Sequence, residues 1–557
     1  MATTDKYDRQ LRLWGSHGQR ALMSSHLLLF GATAVGAETL KNLVLPGVGK
    51  ITICDDQRVT ASDMGNNFFV AAADIGKYRA EVVTSWLCEM NTDVNPGAPI
   101  LEDPHNYLIH RSSELSQYAL IIAANQPRQV VLVLAKHCWD RNIPLLVVQS
   151  YGFIGYLRLQ IRIHDVIEGK PEPGNGIIHD IRVSNAFPEL EAFAASIDLA
   201  SLDPYQHKHV PYIVILIKVL HEWKRTHHGQ MPTSKDRAAL VSMITALSDD
   251  YRPKDTFPDE ASLAEWEKYR GIRYEENFQE ALKNVSKLWA PKTVRADLRL
   301  LIESEVSDAA GATPSEFSIL LRALHAFRLA TDGQVPHKGD IPDMVSTTAY
   351  FVALQRLFEM RARRDNEQMR ELANAFCTQQ GLPHVDQEVL DLFCKNVFDI
   401  ARCECRSIEQ EFGAPCVQEM QAACYDPFVS PEQTPITWYF VLQAAHTFYE
   451  NMGRYPGQLD SNAPAVLQGD VERVWDILQA QVAQVGLRTE LIDSGILQIA
   501  HAQELVRYAA VEMHNISAII GGIGGQEAVK LLTHQYIPID NTYVYNGIAC
   551  VGAKYAL

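Results

Sequence analysis

The sequence has 557 residues, of which 47% are hydrophobic and 21% charged, a composition typical of a soluble globular protein with more than one domain. Its net charge of −17 argues against a surface that binds nucleic acid or inserts into an anionic membrane. No signal segment or membrane-spanning apolar run is recognisable, and the ten cysteines have no regular spacing, so we expect reduced thiols in the cytoplasm or nucleus.

The first predicted element is an amphipathic helix over residues 7–26, whose polar side carries Arg9 and Arg12. Charged residues on such a helix usually face solvent. The pattern alone therefore favours the interpretation that both arginines lie on a solvent-exposed helix face without a functional role.

The next stretch predicts a strand, a glycine turn, a helix and a second strand. The apolar run Leu27–Phe30 ends at Gly31, helical spacing follows Gly36, and a strand over Ile51–Ile53 ends in Asp55. This unit, with an acidic residue about 20 positions after the turn, is the arrangement that holds a nucleotide. The turn lacks the middle glycine of GxGxxG, which lets the backbone approach phosphate. The fold signal is therefore intact, whereas the phosphate-binding signal is damaged.

Strands and helices continue to alternate up to about residue 163, which predicts a doubly wound, mostly parallel α/β sheet. The strand candidates are Leu27–Phe30, Ile51–Cys54, Ala119–Ala123, Leu145–Val148 and Leu157–Ile163. The predicted helices are Glu38–Val44, Arg79–Met90 and Val130–Trp139.

The alternation of strands and helices ends at a loop rich in proline and glycine, residues 169–176, which is a predicted domain boundary. Helical periodicity then dominates to about residue 500, apart from the proline-punctuated loop Gly333–Met344, which is long enough to be functional. Near the C-terminus, Thr542–Tyr545 and the Asn546-Gly547 turn predict a return to β structure. We therefore predict one α/β domain, formed by residues 1–167 and 505–557, that is interrupted by a large, mainly helical insertion at residues 168–504.

Two further clusters each have more than one interpretation. The glycines between Gly521 and Gly525 either cradle a phosphate or let a helix pack closely, and the second is favoured because a P-loop needs GxxxxGK[ST]. The cysteines between Cys394 and Cys424 lack the paired CxxC spacings of zinc sites. Ordinary buried thiols are therefore favoured there over a metal site or a catalytic nucleophile.

Eight stretches, in one order along nearly the whole chain, carry a resemblance to a known family. They are KYDRQLRLWG at 6–15, KNLVLPGVG at 41–49, GNNFF at 65–69, YGFIGY at 151–156, FPEL at 187–190, the loop at 336–344, GRYPG at 453–457 and NTY at 541–543. They resemble the ubiquitin-activating enzyme family, and within it the regulatory subunits of heterodimeric neddylation-activating enzymes. The resemblance implies a Rossmann-like pseudo-adenylation domain.

In that family the active subunit binds ATP and magnesium, adenylates the modifier's C-terminus and passes the modifier to a cysteine. At the positions of the active subunit's second carboxylate, arginine, lysine and metal-binding aspartate, this chain carries Gln57, Asn66 with Asn67, Arg79, and Asn125 or the adjacent Gln126. An amide cannot replace an anionic magnesium ligand at comparable affinity. The resemblance therefore implies that this chain binds no cofactor or metal, and that ATP, magnesium and the catalytic cysteine belong to a partner subunit.

The resemblance also implies that Arg9 reaches from this chain into the partner's nucleotide site, with Arg12 as the fallback. A trans arginine can stabilise charge that develops at a phosphate. We expect an obligate heterodimer with the catalytic activating subunit, which acts on a Nedd/Rub-type modifier. The predicted partner-interface residues are Val48, Val59, Met64, Phe68, Phe69, Pro336, Lys338, Ile341 and Met344.

Three alternatives remain open. One is the regulatory subunit of a sumoylation-type activating enzyme, which shares the YDRQ opening but lacks a long helical insertion. Another is a dinucleotide-dependent oxidoreductase that uses Gly31, Gly36 and Asp55 as its site. The last is an adaptor without any role in the chemistry, which the behaviour of Arg9 would distinguish.

Overall fold

The structure is a computed structural model that describes residues 6–169, 179–253, 259–290, 293–307, 314–425, 429–430, 433–458 and 464–557. Apart from Gly169, the loop predicted at residues 169–176 lies outside these ranges. The chain divides into two compact units. The first comprises Met1–Val166 and Ala401–Leu557, and the second comprises Ile167–Ile400.

The first unit is built around a mixed β-sheet. The strands are β1 (His26–Phe30), β2 (Lys50–Cys54), β3 (Asn95–Pro96), β4 (Leu120–Ala124), β5 (Leu145–Tyr151), β6 (Ile154–Gln160), β7 (His164–Val166), β8 (Ala401–Cys403), β9 (Thr542–Asn546) and β10 (Val551–Tyr555). Within the described residues, eight of them form one sheet in the order β10-β9-β6-β5-β4-β1-β2-β3, and β7 pairs with β8. The run from β3 to β5 is parallel, and β6, β9 and β10 extend it in antiparallel fashion. The predicted doubly wound α/β fold is confirmed.

The helices before residue 166 are α1 (Asp8–Ser24), α2 (Ala34–Val44), α3 (Asp63–Asn66), α4 (Arg79–Met90), α5 (Pro104–Arg111) and α6 (Arg128–Asp140). Four of these helices were predicted, and the short helices α3 and α5 were not. Helix α2 begins earlier than the predicted start at Glu38, because the side chain of Thr33 caps it by accepting from the Gly36 N–H. Strand β6 begins earlier than the predicted start at Leu157, because a tight turn after β5 lets Tyr151 pair with Ile154.

The regular structure in the described residues of the second unit is helical. Its helices are α7 (Pro188–Ser196), α8 (Pro204–His207), α9 (Tyr212–Thr226), α10 (Arg237–Asp249), α11 (Glu260–Lys268), α12 (Glu276–Lys283), α13 (Ala296–Ser307), α14 (Glu316–Ala330), α15 (Thr348–Gln380) and α16 (Gln387–Lys395). They enclose two apolar clusters, one around Leu216 and Phe358 and the other around Phe327 and Phe393. Across the described parts of both units, no helix is long and apolar enough to cross a bilayer.

The chain returns to the first unit at Ala401, so the second unit is shorter than the insertion predicted at 168–504. The returning helices are α17 (Ile408–Gly413), α18 (Val417–Ala423), α19 (Ile436–Met452), α20 (Pro464–Val485), α21 (Ile499–Tyr508) and α22 (His514–Thr533). Phe440 and Val474 share an apolar cluster with Leu28 and Ile121 of the sheet. Helical periodicity shows that a segment has an apolar side but not which surface covers that side. From sequence, the helices after Ala401 that pack on the sheet could therefore not be told from those of the insertion.

Helix α22 packs closely on α2 through its glycines. A Cβ atom at Gly521 would lie 2.7 Å from the Cβ of Glu38, and one at Gly525 would lie 2.6 Å from the Cβ of Asn42. The prediction that these glycines serve helix packing is confirmed. The contact also sets the start of α22 close to the glycine turn after β1.

Candidate functional site

The start of α1 is anchored to the sheet domain by Tyr7. Its ring is buried, and its hydroxyl donates to Asp93 at 2.8 Å and accepts from the Asn91 side-chain amide at 3.1 Å. A Cβ atom at Gly47 would lie 2.7 Å from that hydroxyl, so the glycine is required for Tyr7 to fit. The anchored Tyr7 therefore fixes the start of α1, the helix that carries the candidate arginines.

The two candidate arginines of α1 differ in their contacts. Arg9 is exposed, and within the described residues its guanidinium has no hydrogen-bond or ion-pair partner. Arg12 is also exposed, but it forms an ion pair with Asp8 at 3.0 Å on the same helix. The geometry therefore leaves Arg9 the freer of the two to contact another molecule.

The turn between β1 and α2 has the close packing of a nucleotide-binding turn. Gly31 has a φ of +91°, and a Cβ atom there would lie 2.5 Å from the carbonyl oxygen of Ala124. At Gly36, a Cβ atom would lie 2.5 Å from the carbonyl oxygen of Gly31. Both glycines are therefore needed for packing, whether or not a ligand binds.

The backbone N–H groups of this turn are already bonded to groups of the same chain. Ala34 N–H donates to Oε2 of Glu512 at 2.9 Å, and Val35 N–H donates to Oε1 of the same residue at 3.0 Å. Ala32 N–H donates to Asp55 at 2.7 Å. Glu512 was not among the residues predicted from the sequence, and it is separated from Ala34 by 478 positions, so no local pattern could have identified it.

Asp55, the acidic residue after β2, is buried and paired with Arg79. The Nη2 and Nε atoms of Arg79 donate to Asp55 Oδ2 at 2.8 and 3.2 Å, and Nη1 lies 3.4 Å from Asp63. Burial of Arg79 lowers the pKa of its guanidinium, but the two carboxylates outweigh this, so the net shift of its pKa is upward. The predicted ribose-binding carboxylate is therefore held in an internal ion pair.

The two asparagines at the end of α3, Asn66 and Asn67, differ in their contacts. Asn67 is buried, donates to the Ala32 carbonyl at 3.3 Å and accepts from Phe69 N–H at 3.0 Å. Asn66 is half-buried, and its Oδ1 has no hydrogen-bond partner among the described residues. Gln57 is exposed, and its side chain donates to Asp56 at 2.7 Å.

The position predicted for the metal-binding aspartate is occupied by a strand-bridging amide. Asn125, with a φ of 48°, accepts from Ser150 N–H at 3.0 Å and donates to the Ser150 carbonyl at 3.5 Å. The neighbouring Gln126 donates to the Ala124 carbonyl at 3.0 Å. In the described residues there is no group of three or more His, Cys, Asp or Glu side chains placed to hold a metal ion.

The structure separates the residues predicted for the partner interface between Gly47 and Phe69. Val48, Val59 and Phe69 lie in the core with at most 3% exposure, so they are not available to a partner. This corrects their assignment as interface residues, which the apolar pattern could not decide. Phe68 is 74% exposed and Met64 is 41% exposed.

The predicted interface loop at 333–344 belongs to the second unit and is partly tied into it. Pro336 and Met344 are buried, which removes them from the predicted interface. His337 is buried; its Nδ1 accepts from Gly339 N–H at 2.8 Å, and its own backbone N–H donates to Asp365 at 2.9 Å. Lys338, paired with Asp340 at 3.2 Å, and the half-buried Ile341 remain accessible.

The cysteine group at 394–424 consists of mostly buried thiols. Burial raises the pKa of Cys403 to about 11, of Cys405 to about 12 and of Cys424 to about 11, and it also raises the pKa of Cys394. A raised pKa disfavours the nucleophilic thiolate. The exposed free cysteine of the chain is Cys550, in the turn between β9 and β10.

Comparison with known proteins places these features in context. The profile of the ThiF family matches residues 7–175. The NEDD8-activating enzyme E1 regulatory subunit of Xenopus laevis is 34% identical over 99% of this chain and 98% of its own length. The NEDD8-activating enzyme E1 regulatory subunit AXR1 of Arabidopsis thaliana is 32% identical over 98% and 94%. Among solved structures, Escherichia coli MccB has 16% identity over 31% of this chain and 53% of its own, with a TM-score of 0.26.

Proposed function

Because the chain belongs to the family of NEDD8-activating enzyme E1 regulatory subunits, we propose that it is the non-catalytic subunit of a heterodimeric enzyme that adenylates a Nedd/Rub-type modifier. In this proposal the partner subunit binds ATP and magnesium and carries the cysteine that receives the modifier. This membership sets aside the sumoylation-type alternative.

The observation that carries the proposal is the closed state of the degenerate nucleotide site. The Ala34 and Val35 N–H groups are occupied by Glu512, and Asp55 is occupied by Arg79. A nucleotide needs free donors for its phosphates and a free carboxylate for its ribose. The same geometry counts against the dinucleotide-dependent oxidoreductase, which would need both.

The proposed contribution to chemistry is a trans arginine. Arg9 is exposed, has no partner for its guanidinium within the described residues, and follows the anchored Tyr7 by two positions. In a pseudo-twofold pair of like domains, an element at the edge of one domain can reach the equivalent site of the other. There the guanidinium would stabilise negative charge that develops on the phosphates of ATP.

The proposed partner contacts are the exposed apolar residues Met64 and Phe68 of the first unit, together with Lys338 and Ile341 of the second. Met64 and Phe68 flank the degenerate site, where a pseudo-symmetric partner would pack. Large exposed apolar side chains of this kind commonly mark interfaces.

The test is reconstitution of the chain with a candidate activating subunit, followed by ATP–pyrophosphate exchange with the modifier. The isolated chain should neither catalyse exchange nor bind ATP by calorimetry. Arg9→Ala should leave the complex assembled and slow exchange about 100- to 1,000-fold. Arg12→Ala is the matched control on the same helix and should behave as wild type. Normal exchange with Arg9→Ala would remove Arg9 from the mechanism, and a defect in Arg12→Ala alone would transfer the role to Arg12.

A second experiment locates the receiving cysteine. In a complex charged with modifier, Cys550→Ser should leave the thioester on the partner subunit, as judged by non-reducing electrophoresis. Cys550 is the appropriate choice because its thiol is exposed, whereas Cys394, Cys405 and Cys424 are buried. Loss of the thioester in this variant would contradict the assignment of the cysteine to the partner.

A further inference from the structure

The four backbone N–H groups of residues 34–37, at the start of α2, all have acceptors within the chain. An α-helix begins with backbone N–H groups that have no partner in the helix itself. Here Ala34 and Val35 donate to Glu512, Gly36 donates to the Thr33 hydroxyl at 3.4 Å, and Ala37 donates to the Thr33 carbonyl at 2.9 Å. The capping of α2 is therefore complete without a bound anion.

The Glu512 carboxylate contacts the N-terminus of α2 with the geometry of a bound phosphate. Its two carboxylate oxygens each accept one N–H, at 2.9 and 3.0 Å, from consecutive residues of the first turn. The helix dipole favours a negative charge at this end, which is why phosphates bind there in nucleotide-binding domains. Glu512 thus supplies both the charge and the acceptor geometry of a phosphate.

Fixed elements on either side hold Glu512 in place. Gly152 N–H donates to the Val511 carbonyl at 2.8 Å, and Gly152 and Glu512 form a β-bridge. A Cβ atom at Gly152 would lie 2.1 Å from the ring of Tyr508, so the glycine permits this approach. Helix α22 begins two residues later and packs on α2. The backbone pairing with Gly152 therefore fixes the position of residue 512, and with it the position of the Glu512 carboxylate.

Several groups around Glu512 favour its charged form, but burial outweighs them. The net shift of the pKa of its carboxyl is upward because of burial, while the two N–H donors and the charge of Arg79 act in the opposite direction. Arg79 is itself shared between Asp55 and Asp63. The site therefore contains its own anion and its own cation.

We infer that Glu512 is a built-in substitute for phosphate, which closes the nucleotide site and joins the C-terminal part of the first unit to its N-terminal part. The inference rests on the proposed function in so far as this site is a lost nucleotide site. It adds that the site was closed by gain of an internal ligand as well as by loss of catalytic residues. Without Glu512, the turn should accept a tetrahedral anion.

The experiment compares Glu512→Ala and Glu512→Gln with the wild-type chain by thermal unfolding, in a phosphate-free buffer and with added inorganic phosphate. Glu504→Ala is the matched control, because Glu504 precedes Glu512 closely and forms its ion pair with the exposed Arg507 of α21. We expect Glu512→Ala to lower the unfolding temperature by several degrees. Added phosphate at millimolar concentration should restore part of that loss, and should shift the wild type and Glu504→Ala less.

Glu512→Gln tests the role of charge and is expected to fold, because it keeps the side chain's shape and one acceptor. It should unfold at a lower temperature than the wild type, and phosphate should restore less than in Glu512→Ala because the side chain still fills the site. An unfolding temperature of Glu512→Gln equal to that of the wild type would overturn the inference. So would a phosphate response of Glu512→Ala no larger than that of Glu504→Ala.

These measurements use the single chain, whereas the proposed function is tested by exchange in the heterodimer. An active heterodimer together with no phosphate response would refute the inference alone. An inactive wild-type heterodimer would refute the proposed function, and the phosphate response would still decide the inference.

Discussion

At the scale of single residues, the charged groups near the turn after β1 pair with one another. Arg79 lies at the position where the resemblance implies a lysine in active subunits, and its guanidinium contacts Asp55 and Asp63. An arginine can bind a carboxylate through two parallel donors, which a lysine cannot. The contacts of Arg79 are therefore structural ones within the chain.

We predict that Arg79→Ala lowers the free energy of unfolding by about 3–5 kcal/mol, because it leaves the carboxylate of Asp55 buried without its counter-charge. Urea unfolding measures this. Arg79→Lys should fall between the alanine variant and the wild type. Arg507→Ala, which removes an exposed pair with Glu504, should cause no measurable change. Equal stability of Arg79→Ala and Arg507→Ala would show that the internal pair is not structural.

A buried histidine predicts a pH dependence. His446 lies on α19, contacts Gln149 at 3.3 Å, and has its pKa lowered from 6.5 to about 4 by burial and by the charge of Arg128. Between those values the unfolded chain binds a proton that the folded chain does not, so stability is fully present above about pH 6.5 and falls as the pH drops toward 4. The expected loss is at most ~3 kcal/mol.

In His446→Gln this contribution should disappear. The free energy of unfolding, measured by urea at several pH values, should therefore decline less steeply below about pH 6.5 than in the wild type. Parallel profiles of the two proteins would mean that His446 titrates normally in the folded state.

At the scale of elements, the α2–α22 contact positions the candidate site. Gly521 lies against the backbone of Glu38, with 2.8 Å from its would-be Cβ atom to the Glu38 carbonyl carbon. Helix α22 begins just after Glu512, so its packing sets the position of that carboxylate at the start of α2. By allowing α22 to pack closely on α2, Gly521 therefore determines where the Glu512 carboxylate lies.

We predict opposite effects for two adjacent glycines of α22. Gly521→Ala should destabilise the chain by about 1–3 kcal/mol, because the added methyl meets backbone atoms that cannot move independently. A Cβ atom at Gly522 meets nothing within 4 Å, so Gly522→Ala should stabilise the chain by up to ~1 kcal/mol through helix propensity. Thermal unfolding of the two variants provides the comparison. Similar changes of the same sign would show that close packing does not determine the role of Gly521.

At the scale of the whole molecule, the α/β unit retains a nucleotide-binding frame that binds its own side chains. The surface of this unit can still serve for association with a partner. The exposed Phe68 is one candidate contact residue on that surface. The Phe68 ring is 74% exposed and contacts Phe69 edge-to-face, with 5.7 Å between centroids, and His514, with 6.3 Å, while Phe69 lies in the core. The two residues lie in a turn after α3, in which the Asn67 side chain accepts from Phe69 N–H at 3.0 Å, and this turn directs only Phe69 into the core.

We predict that Phe68→Ala weakens association with the partner subunit by about tenfold or more without lowering the unfolding temperature of the free chain. Phe69→Ala is the contrasting variant and should cost about 3–5 kcal/mol of stability, because it removes a buried ring. Affinity measured by calorimetry and thermal unfolding of the free chain separate the two effects. Unchanged affinity in Phe68→Ala would place the interface elsewhere.

Several features of this protein follow from the sequence alone. The alternation of apolar runs, glycine turns and helical spacing determined the doubly wound fold, because these patterns are local and repeat with the period of each element. The identities of Gln57, Arg79 and Asn125 indicated a degenerate site, because the chemistry of each position depends on its side chain.

Other features depended on the tertiary structure. Only the fold brought Glu512 to Ala34, across 478 positions, because capping of a helix end requires proximity in space and not in sequence. Only the fold distinguished Phe68 from Phe69 and Val59, because apolar character does not show which side of a segment is covered. The helices after Ala401 joined the sheet for the same reason: an apolar helix side predicts burial, but the surface that buries it is chosen by packing.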